Sequence, residues 1–149
     1  RLIDMGIRPF PIPSTLRLAI SQRLIRTLCQ NCKKQVKAPD KVKDYIAKNL
    51  ENLPANVKQK FGLEVPLTIY EAVGCQECSF KGYKGRTGLF EVLSMTPELA
   101  DVIMKNPAEN LILKVAQKQG MLTMYQEGIL KVLAGETTLD EITRATEES

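Results

Sequence analysis

The apolar positions near the start of the chain predict a helix followed by a strand. Between Ser14 and Ile25 they recur every three or four residues, as on one face of a helix: Leu16, Ala19, Ile20 and Leu24. Proline at every second position from Pro9 to Pro13 excludes a helix interior before this segment, and Ser14 is a suitable N-cap. After Gln22 the pattern shifts to apolar residues among basic ones, which is typical of a short strand ending at Cys29: Leu24, Ile25 and Leu28.

The middle of the chain contains a lysine-rich segment followed by β-prone segments. Residues 33–60 hold many lysines, and two weak helical patterns lie in or just after them: Val42, Tyr45 and Ile46, then Val57 and Phe61. Pro54 separates the two patterns, and Gly62 is expected to end the second. The β-branched and aromatic residues of Leu67–Val73 predict one strand, and Leu89–Leu93 predict another.

Capping signals divide the last third of the chain into four helices. A Pro-containing pair opens each of the first two, and residues with capping-box spacing open the others: Thr96-Pro97, Asn106-Pro107, Thr123 to Gln126, and Thr138 to Glu141. Gly120 and Gly135 are expected to end the second and third helices. The short links between these helices predict a compact four-helix subdomain.

The amino-acid composition excludes several classes of function. The chain has 149 residues, of which 44% are hydrophobic and 26% charged, as in a soluble globular protein. It has no histidine, which excludes a Ser-His-Asp triad, a Cys-His pair and a zinc finger with histidine ligands. No apolar run approaches the roughly 20 residues that span a bilayer, so we expect a cytoplasmic protein. Because the chain starts at Arg1 and not at methionine, we expect it to be part of a longer protein.

The four cysteines form two C-x₂-C pairs, Cys29 with Cys32 and Cys75 with Cys78, separated by 42 residues. Two such turns can bring four thiolates onto one ion, and zinc suits a tetrahedral site of four sulfurs. Cations close in sequence would offset the negative charge of a zinc tetrathiolate: Lys33, Lys34, Lys81, Lys84 and Arg86. Two disulfides, an iron–sulfur cluster and a redox-active pair are weaker alternatives, because the chain has neither secretory signals nor ferredoxin spacing. A closed four-ligand site leaves no position for water, so we expect a structural zinc and no catalytic role for it.

These elements predict an α+β fold that is mainly α-helical. A short β-hairpin at a sheet edge is expected to carry the tetracysteine zinc-binding module, and a four-helix C-terminal subdomain follows it. The chain would then divide into residues 1–28, residues 29–90 with a helical insert, and residues 91–149.

Two further features could bind phosphate. The glycine-rich stretch Gly82–Gly88 lacks the spacing and the Gly-Lys-Ser/Thr ending of a P-loop, so a turn leaving the zinc site explains it better. Arg23, Arg26 and Arg86 could contact a phosphate or an acidic neighbouring subunit, although a solvated basic strand edge is the favoured interpretation. We therefore predict no catalytic or nucleotide-binding residue within this chain.

Several stretches together resemble the type II secretion and type IV pilus assembly ATPases, the family of general secretion pathway protein E. The resemblance runs from end to end, and its specificity comes from the combination of segments: residues 1–6, 21–29, 74–78, 82–92, 120–121, 128, 135–138 and 141–146. It implies that residues 1–28 are the end of an ATPase core and that the insert between Lys33 and Gly74 extends from a hairpin whose neck the zinc holds.

The resemblance also implies a function. Members of this family are hexameric motors that hydrolyse Mg-ATP at the cytoplasmic face of the inner membrane and drive pseudopilus or pilus assembly through an inner-membrane platform protein. Their Walker motifs would lie upstream of Arg1, so ATP and Mg²⁺ would bind only to the full-length parent and this chain alone would be inactive. Its contribution would be zinc binding, contacts between subunits of the homo-hexamer and partner docking, in either a secretion or a pilus system.

The alternatives are a zinc-ribbon that binds nucleic acid and a free-standing scaffold. The net charge is +6 over residues 1–40, +3 over residues 41–90 and −5 over residues 91–149, which motivates the first of these. Few aromatic residues accompany the basic ones, however, and no DNA- or RNA-binding motif is present, so we expect no nucleic-acid partner.

Overall fold

A computed structural model of the chain describes residues 2–51, 53 and 67–147. Within them lie six α-helices, four strands and one 3₁₀ helix: α1 Ile12–Thr15, β1 Leu18–Leu28, β2 Lys34–Lys37, α2 Asp40–Asn49, β3 Thr68–Glu71, the 3₁₀ helix Gln76–Cys78, β4 Tyr83–Ser94, α3 Pro97–Lys105, α4 Glu109–Lys118, α5 Met124–Leu133 and α6 Leu139–Glu147. This confirms the expected α+β class. Among the described helices, none combines the length and the apolar character that crossing a membrane requires.

The helix predicted between Ser14 and Ile25 is wrong. Ser14 lies inside the short helix α1, where its hydroxyl donates to the carbonyl of Pro11. From Leu18 onward the chain is the long strand β1, which pairs with β4. Pairing with a strand that is 65 residues later in the chain overrides the local helical spacing, because sheet formation depends on cross-strand partners.

Two small sheets account for the described strands. β1 pairs with β4, and β2 pairs antiparallel with β3 so that Lys34 lies opposite Glu71 and Lys37 opposite Thr68. Both predicted strands, Leu67–Val73 and Leu89–Leu93, are therefore confirmed in type. The expected glycine-rich turn after the second cysteine pair is shorter than predicted, because β4 already begins at Tyr83.

The chain divides into two compact units. The first comprises Arg1–Ser21 with Glu91–Met121, and the second comprises Gln22–Phe90 with Leu122–Ser149. The core of the first unit joins α1 to α3 and α4 through four buried side chains: Ile12, Leu99, Ile103 and Val115. In this unit α3 has the predicted cap, since the Leu99 N–H donates to the Thr96 hydroxyl at 3.3 Å.

The second unit has two adjoining clusters of buried side chains. One contains Ile25, Leu89, Val132, Ile142 and Ala145, and the other contains Ile46, Leu50, Leu53, Ile129 and Leu130. Ile69 and Tyr125 pack against both clusters, so the two are continuous. The described part of the insert between the cysteine pairs therefore packs on α5 through α2.

The four predicted C-terminal helices are present, but α3 and α4 belong to the first unit and α5 and α6 to the second. Their grouping into one four-helix subdomain is not confirmed, and the division at residues 28 and 90 remains a prediction. Helix α4 begins at Glu109. Its N-cap is Ala108, two residues after Asn106, where the sequence predicted the start of this helix. The helical pattern near Phe61, with Pro54 and Gly62, lies outside the described residues.

Candidate metal centre

The four cysteine sulfurs come together in the second unit. The Sγ atoms of Cys29, Cys32, Cys75 and Cys78 all lie within 4.8 Å of one another. The distance is 3.9 Å from Cys29 to Cys75, 3.8 Å from Cys32 to Cys78 and 3.8 Å from Cys75 to Cys78. Four sulfurs at about 2.3 Å from a tetrahedral zinc ion stand about 3.8 Å apart, so these three distances match such a site.

Each C-x₂-C pair is shaped by a tight backbone turn. In the first, the N–H of Lys33 donates to the carbonyl of Cys29 at 2.9 Å. In the second, the N–H of Phe80 donates to the carbonyl of Cys75 at 2.8 Å. Gly74 must be glycine here, because its φ is +104° and a Cβ would lie 2.7 Å from the carbonyl oxygen of Phe80. The turns therefore direct both thiols of each pair to one side.

Backbone donors favour the thiolate form of Cys78. Burial acts to raise the pKa of this thiol, but the N–H groups of Cys75 and Gly82 each reach its sulfur at 3.2 Å, and together with neighbouring thiols they lower its pKa to about 6. Burial instead dominates at Cys32 and raises the pKa of that thiol to about 12. Because metals bind the thiolate, the cluster presents one ready ligand whose charge the protein itself stabilises.

Two of the lysines that the sequence places near the thiols, Lys84 and Lys33, bind identified groups of the chain. Lys84 Nζ lies 2.7 Å from the carboxylate of Glu77, which raises the lysine pKa, and Cys29 and Cys75 raise it further. Lys33 Nζ donates to the carbonyl of Gly135 at 2.9 Å. Lys84 therefore adds positive charge beside the sulfurs, whereas Lys33 connects the first cysteine pair to the C-terminal region.

The three arginines have different environments. Arg26 lies on β1 with its side chain 48% exposed, but it also has an acidic partner. Its Nε and Nη2 donate to Glu141 Oε2 at 2.9 and 2.6 Å, and its backbone N–H donates to Oε1 at 2.9 Å. Arg23 is half-buried on β1, and Arg86 is exposed on β4. Arg26 thus binds an acid of its own chain.

Sequence reasoning missed Glu141, which it assigned to a capping box at the start of α6. Its side chain is fully buried, and Arg144 donates to both of its oxygens, at 2.7 and 3.2 Å. Burial acts to raise the pKa of this carboxyl, but the hydrogen bonds from Arg144 and Arg26 lower it to about 2. Only the N–H of Glu141, which donates to the Thr138 hydroxyl at 3.4 Å, keeps the predicted capping contact. In the sequence, the feature that could have indicated burial of Glu141 is its place next to Ile142, an apolar residue whose side chain is buried.

The sequence of this chain is similar to those of secretion and pilus assembly proteins. The sequence model of the family described as "Type II/IV secretion system protein" matches residues 1–144. The chain is 35% identical to the type IV pilus assembly ATPase PilB of Acinetobacter baylyi over 99% of its own length and 24% of that protein. It is 37% identical to the type II secretion system protein E of Dickeya dadantii over 99% of the chain and 26% of that protein.

A third relative is the type II secretion system ATPase E of Vibrio cholerae, to which the chain is 37% identical over its whole length and 27% of that protein. The chain thus spans about a quarter of the length of these three relatives. The relatives include both pilus assembly and secretion proteins at similar identity, so the two systems are not separated by overall similarity.

Proposed function

Since the chain belongs to the family of type II/IV secretion system proteins, we propose that it is the C-terminal part of a hexameric ATPase that powers type II secretion or type IV pilus assembly. The observation that carries this proposal is the match over 99–100% of the chain to relatives that are named as ATPases of these systems. The remaining three-quarters of such a protein would hold the nucleotide site.

In this proposal the four cysteines bind one structural Zn²⁺. The ion would supply four metal–sulfur bonds between the two cysteine pairs, and the N–H groups of Cys75 and Gly82 would stabilise the thiolate of Cys78. All four coordination positions would be occupied by Cys29, Cys32, Cys75 and Cys78, so the ion would have no open position for substrate or water. Its role is to hold β1, β4 and the insert in register.

The chemistry of ATP would lie outside this chain. The 149-residue sequence contains no P-loop, and Gly82–Gly88 lies mostly in β4. The domain would act through surfaces: contacts with neighbouring subunits of a homo-hexamer and docking to components at the cytoplasmic face of the inner membrane, including a platform protein. ATP and Mg²⁺ would accordingly be cofactors of the whole protein only.

The first test combines metal analysis with a ligand substitution. The purified chain should contain one zinc per molecule, and Cys75→Ser should lose the metal and lower the melting temperature by several degrees, because a structural metal contributes directly to folding free energy. Gln76→Ser, a change at an exposed position between the two ligands, is the matched control and should keep both metal and melting temperature. A metal-free wild type, or an unchanged melting temperature in Cys75→Ser, would contradict the structural zinc.

The same pair of variants tests the wider function in the complete gene. Cys75→Ser should abolish either protein secretion or piliation in the host, whereas Gln76→Ser should support it at the wild-type level. The phenotype that disappears identifies the system. The 149-residue chain alone should not hydrolyse ATP, and turnover above a no-protein blank would contradict the assignment of the nucleotide site to another part of the protein.

A further inference from the structure

The end of β1 is bonded to a C-terminal segment that we call the tail segment, Gly135–Glu141. The N–H of Leu28 donates to the carbonyl of Glu136 at 2.7 Å, and the fully buried hydroxyl of Thr137 donates to the carbonyl of Arg26 at 2.9 Å. Leu28 directly precedes the first cysteine ligand. The tail segment therefore continues the backbone pairing of β1 up to the edge of the thiol cluster.

A second set of contacts lies just beyond the first cysteine pair. Lys33, which follows Cys32, donates from Nζ to the carbonyl of Gly135 and stands 4.7 Å from the ring centroid of Tyr70. Gly135 itself packs on that ring so closely that an added Cβ would lie 2.6 Å from it. Tyr70 belongs to β3 and Lys33 directly precedes β2, so the tail segment contacts one strand of the insert's sheet and the residue that leads into the other.

A third set of contacts reaches the second cysteine pair. The Arg26 guanidinium, held by Glu141, lies 4.4 Å over the ring of Tyr83. The Tyr83 hydroxyl is 2.8 Å from the Thr138 hydroxyl in the tail segment. Tyr83 directly follows Gly82, whose N–H donates to the Cys78 sulfur. The tail segment is thereby connected to the residues on both sides of the thiol cluster, which we call the neck: Leu28–Lys33 and Cys75–Tyr83.

From these contacts we propose that metal binding by the four cysteines and docking of the tail segment on the neck stabilise each other. The two halves of the neck meet where β1 pairs with β4, and the N–H of Cys29 donates to the carbonyl of Gly82 at 2.9 Å. A metal bound by both cysteine pairs would add a second link between these halves and so would reduce the motion of the surface on which the tail segment docks. The proposal rests on the proposed binding of metal at the four cysteines and adds a coupling between that site and α6.

Such a coupling is reciprocal, since linkage requires each event to strengthen the other by the same factor. Weakening the tail segment must therefore weaken metal binding, although Glu141 and Thr137 are not ligands. Glu141→Gln keeps the shape of the side chain and removes the charge that Arg26 and Arg144 bind. We expect it to raise the dissociation constant for Zn²⁺ about tenfold, within the range usual for coupled sites.

The experiment titrates Zn²⁺ into the metal-free 149-residue chain against a chromophoric chelator. Glu98→Gln is the matched control, because Glu98 also forms an ion pair, with Lys118, but lies in the first unit and is exposed. It should leave the Zn²⁺ dissociation constant within about twofold of the wild type. A folded Glu141→Gln variant with wild-type affinity would overturn the coupling while leaving the metal site itself intact.

Thr137→Val serves as a milder second variant, since it removes only the hydrogen bond to the carbonyl of Arg26. It should weaken Zn²⁺ binding in the same direction and by a smaller factor, and unchanged binding would count against the coupling even if Glu141→Gln fails to fold. If the wild-type chain takes up no Zn²⁺, both this proposal and the metal site on which it rests are overturned.

Hydrogen exchange measures the reverse direction in the wild type. Removal of Zn²⁺ by a chelator should speed amide exchange of the tail segment about tenfold. Helix α5 lies in the same unit and serves as the internal reference, and its exchange should change less. Equal acceleration in α5 and the tail segment would indicate general unfolding of the unit and would contradict a specific coupling, as would no acceleration in the tail segment.

Discussion

Gly135 is a residue for which two independent constraints exclude any other type. Its φ is +69°, in the left-handed region that side chains with a Cβ avoid, and a Cβ there would stand 2.6 Å from the ring of Tyr70. The sequence predicted Gly135 as a helix terminator, which it is. Its close packing on the insert depends on an aromatic residue 65 positions earlier in the chain, and no local pattern contains that information.

We expect Gly135→Ala to lower the free energy of unfolding by about 2–4 kcal/mol, as the sum of backbone strain and overpacking. Gly120→Ala is the control, because Gly120 also has a positive φ, +89°, but no atom lies within 4 Å of its added Cβ. It should cost only about 1 kcal/mol, from strain alone. Urea denaturation of both variants measures the difference, and equal losses would mean that the contact with Tyr70 is unimportant.

Among the secondary-structure elements, helix α5 begins with the capping box that the sequence predicted. The capping box predicted at Thr123 forms completely: the Gln126 N–H donates to the Thr123 hydroxyl at 3.2 Å, and the Thr123 N–H donates to Gln126 Oε1 at 3.0 Å. Gln126 is also buried and donates to the carbonyl of Asn49 at the end of α2. The cap therefore joins α5 to the insert, which the spacing of the two residues does not reveal.

Thr123→Ala should destabilise the chain by about 1 kcal/mol, because one N–H at the start of α5 loses its acceptor. Thr123→Ser keeps that acceptor and should retain most of the stability. Thermal unfolding followed by circular dichroism compares the two variants with the wild type. A loss of equal size in both would show that the methyl group, and not the cap, carries the effect.

Strand β1 shows the opposite case, because the sequence predicted a helix for its first part and a strand only near Cys29. Ile20 and Leu24 belong to the helical pattern, yet both are exposed on the strand. The capping motifs of α3 and α5 involve bonds between residues three apart, whereas β1 exists because β4 is available as a partner. Local bonds can be read from spacing, but strand pairing of this kind depends on distant residues.

For the whole molecule, the buried carboxylate of Glu141 predicts a specific dependence of stability on pH. Its pKa is lowered from 4.5 to about 2 by Arg144 and Arg26, and the ring of Tyr83 covers the latter. In the unfolded chain the carboxyl takes up a proton near pH 4.5, but in the folded chain it does so only near pH 2. The stability that Glu141 contributes is therefore fully present above pH 4.5 and is lost as the pH falls from 4.5 to about 2.

The measurement is the difference in unfolding free energy between the wild type and Glu141→Gln, in metal-free protein, as the pH is lowered. This difference should be constant above pH 4.5 and should shrink by at most about 1.4 kcal/mol per pH unit below it. Asp40 and Glu77 also have lowered pKa values, beside Lys43 and Lys84, but they titrate in both proteins and cancel. A difference that does not vary with pH would contradict the lowered pKa of the buried Glu141 carboxylate.

The sequence by itself determined which residues form the candidate metal site and the family of the chain. Two C-x₂-C pairs hold their thiols together through turns of a few residues, and no histidine competes for the role, so the candidate ligand set followed from spacing. The sequence likewise predicted the caps of α3 and α5 and the two strands that flank the second cysteine pair, from residues close together in the chain. These features could be read from the sequence because the bonds or propensities concerned involve residues close in the chain.

Only the tertiary structure decided what surrounds that site. It converted the expected N-terminal helix into β1, divided the four C-terminal helices between two units, and buried Glu141 against Arg26, 115 residues away in the chain. A buried carboxylate is stable only where its partners converge, and that convergence is set by the packing of α6 on the β1–β4 sheet. Sequence spacing reports which residues can bond locally, whereas long-range packing selects which of them are removed from water.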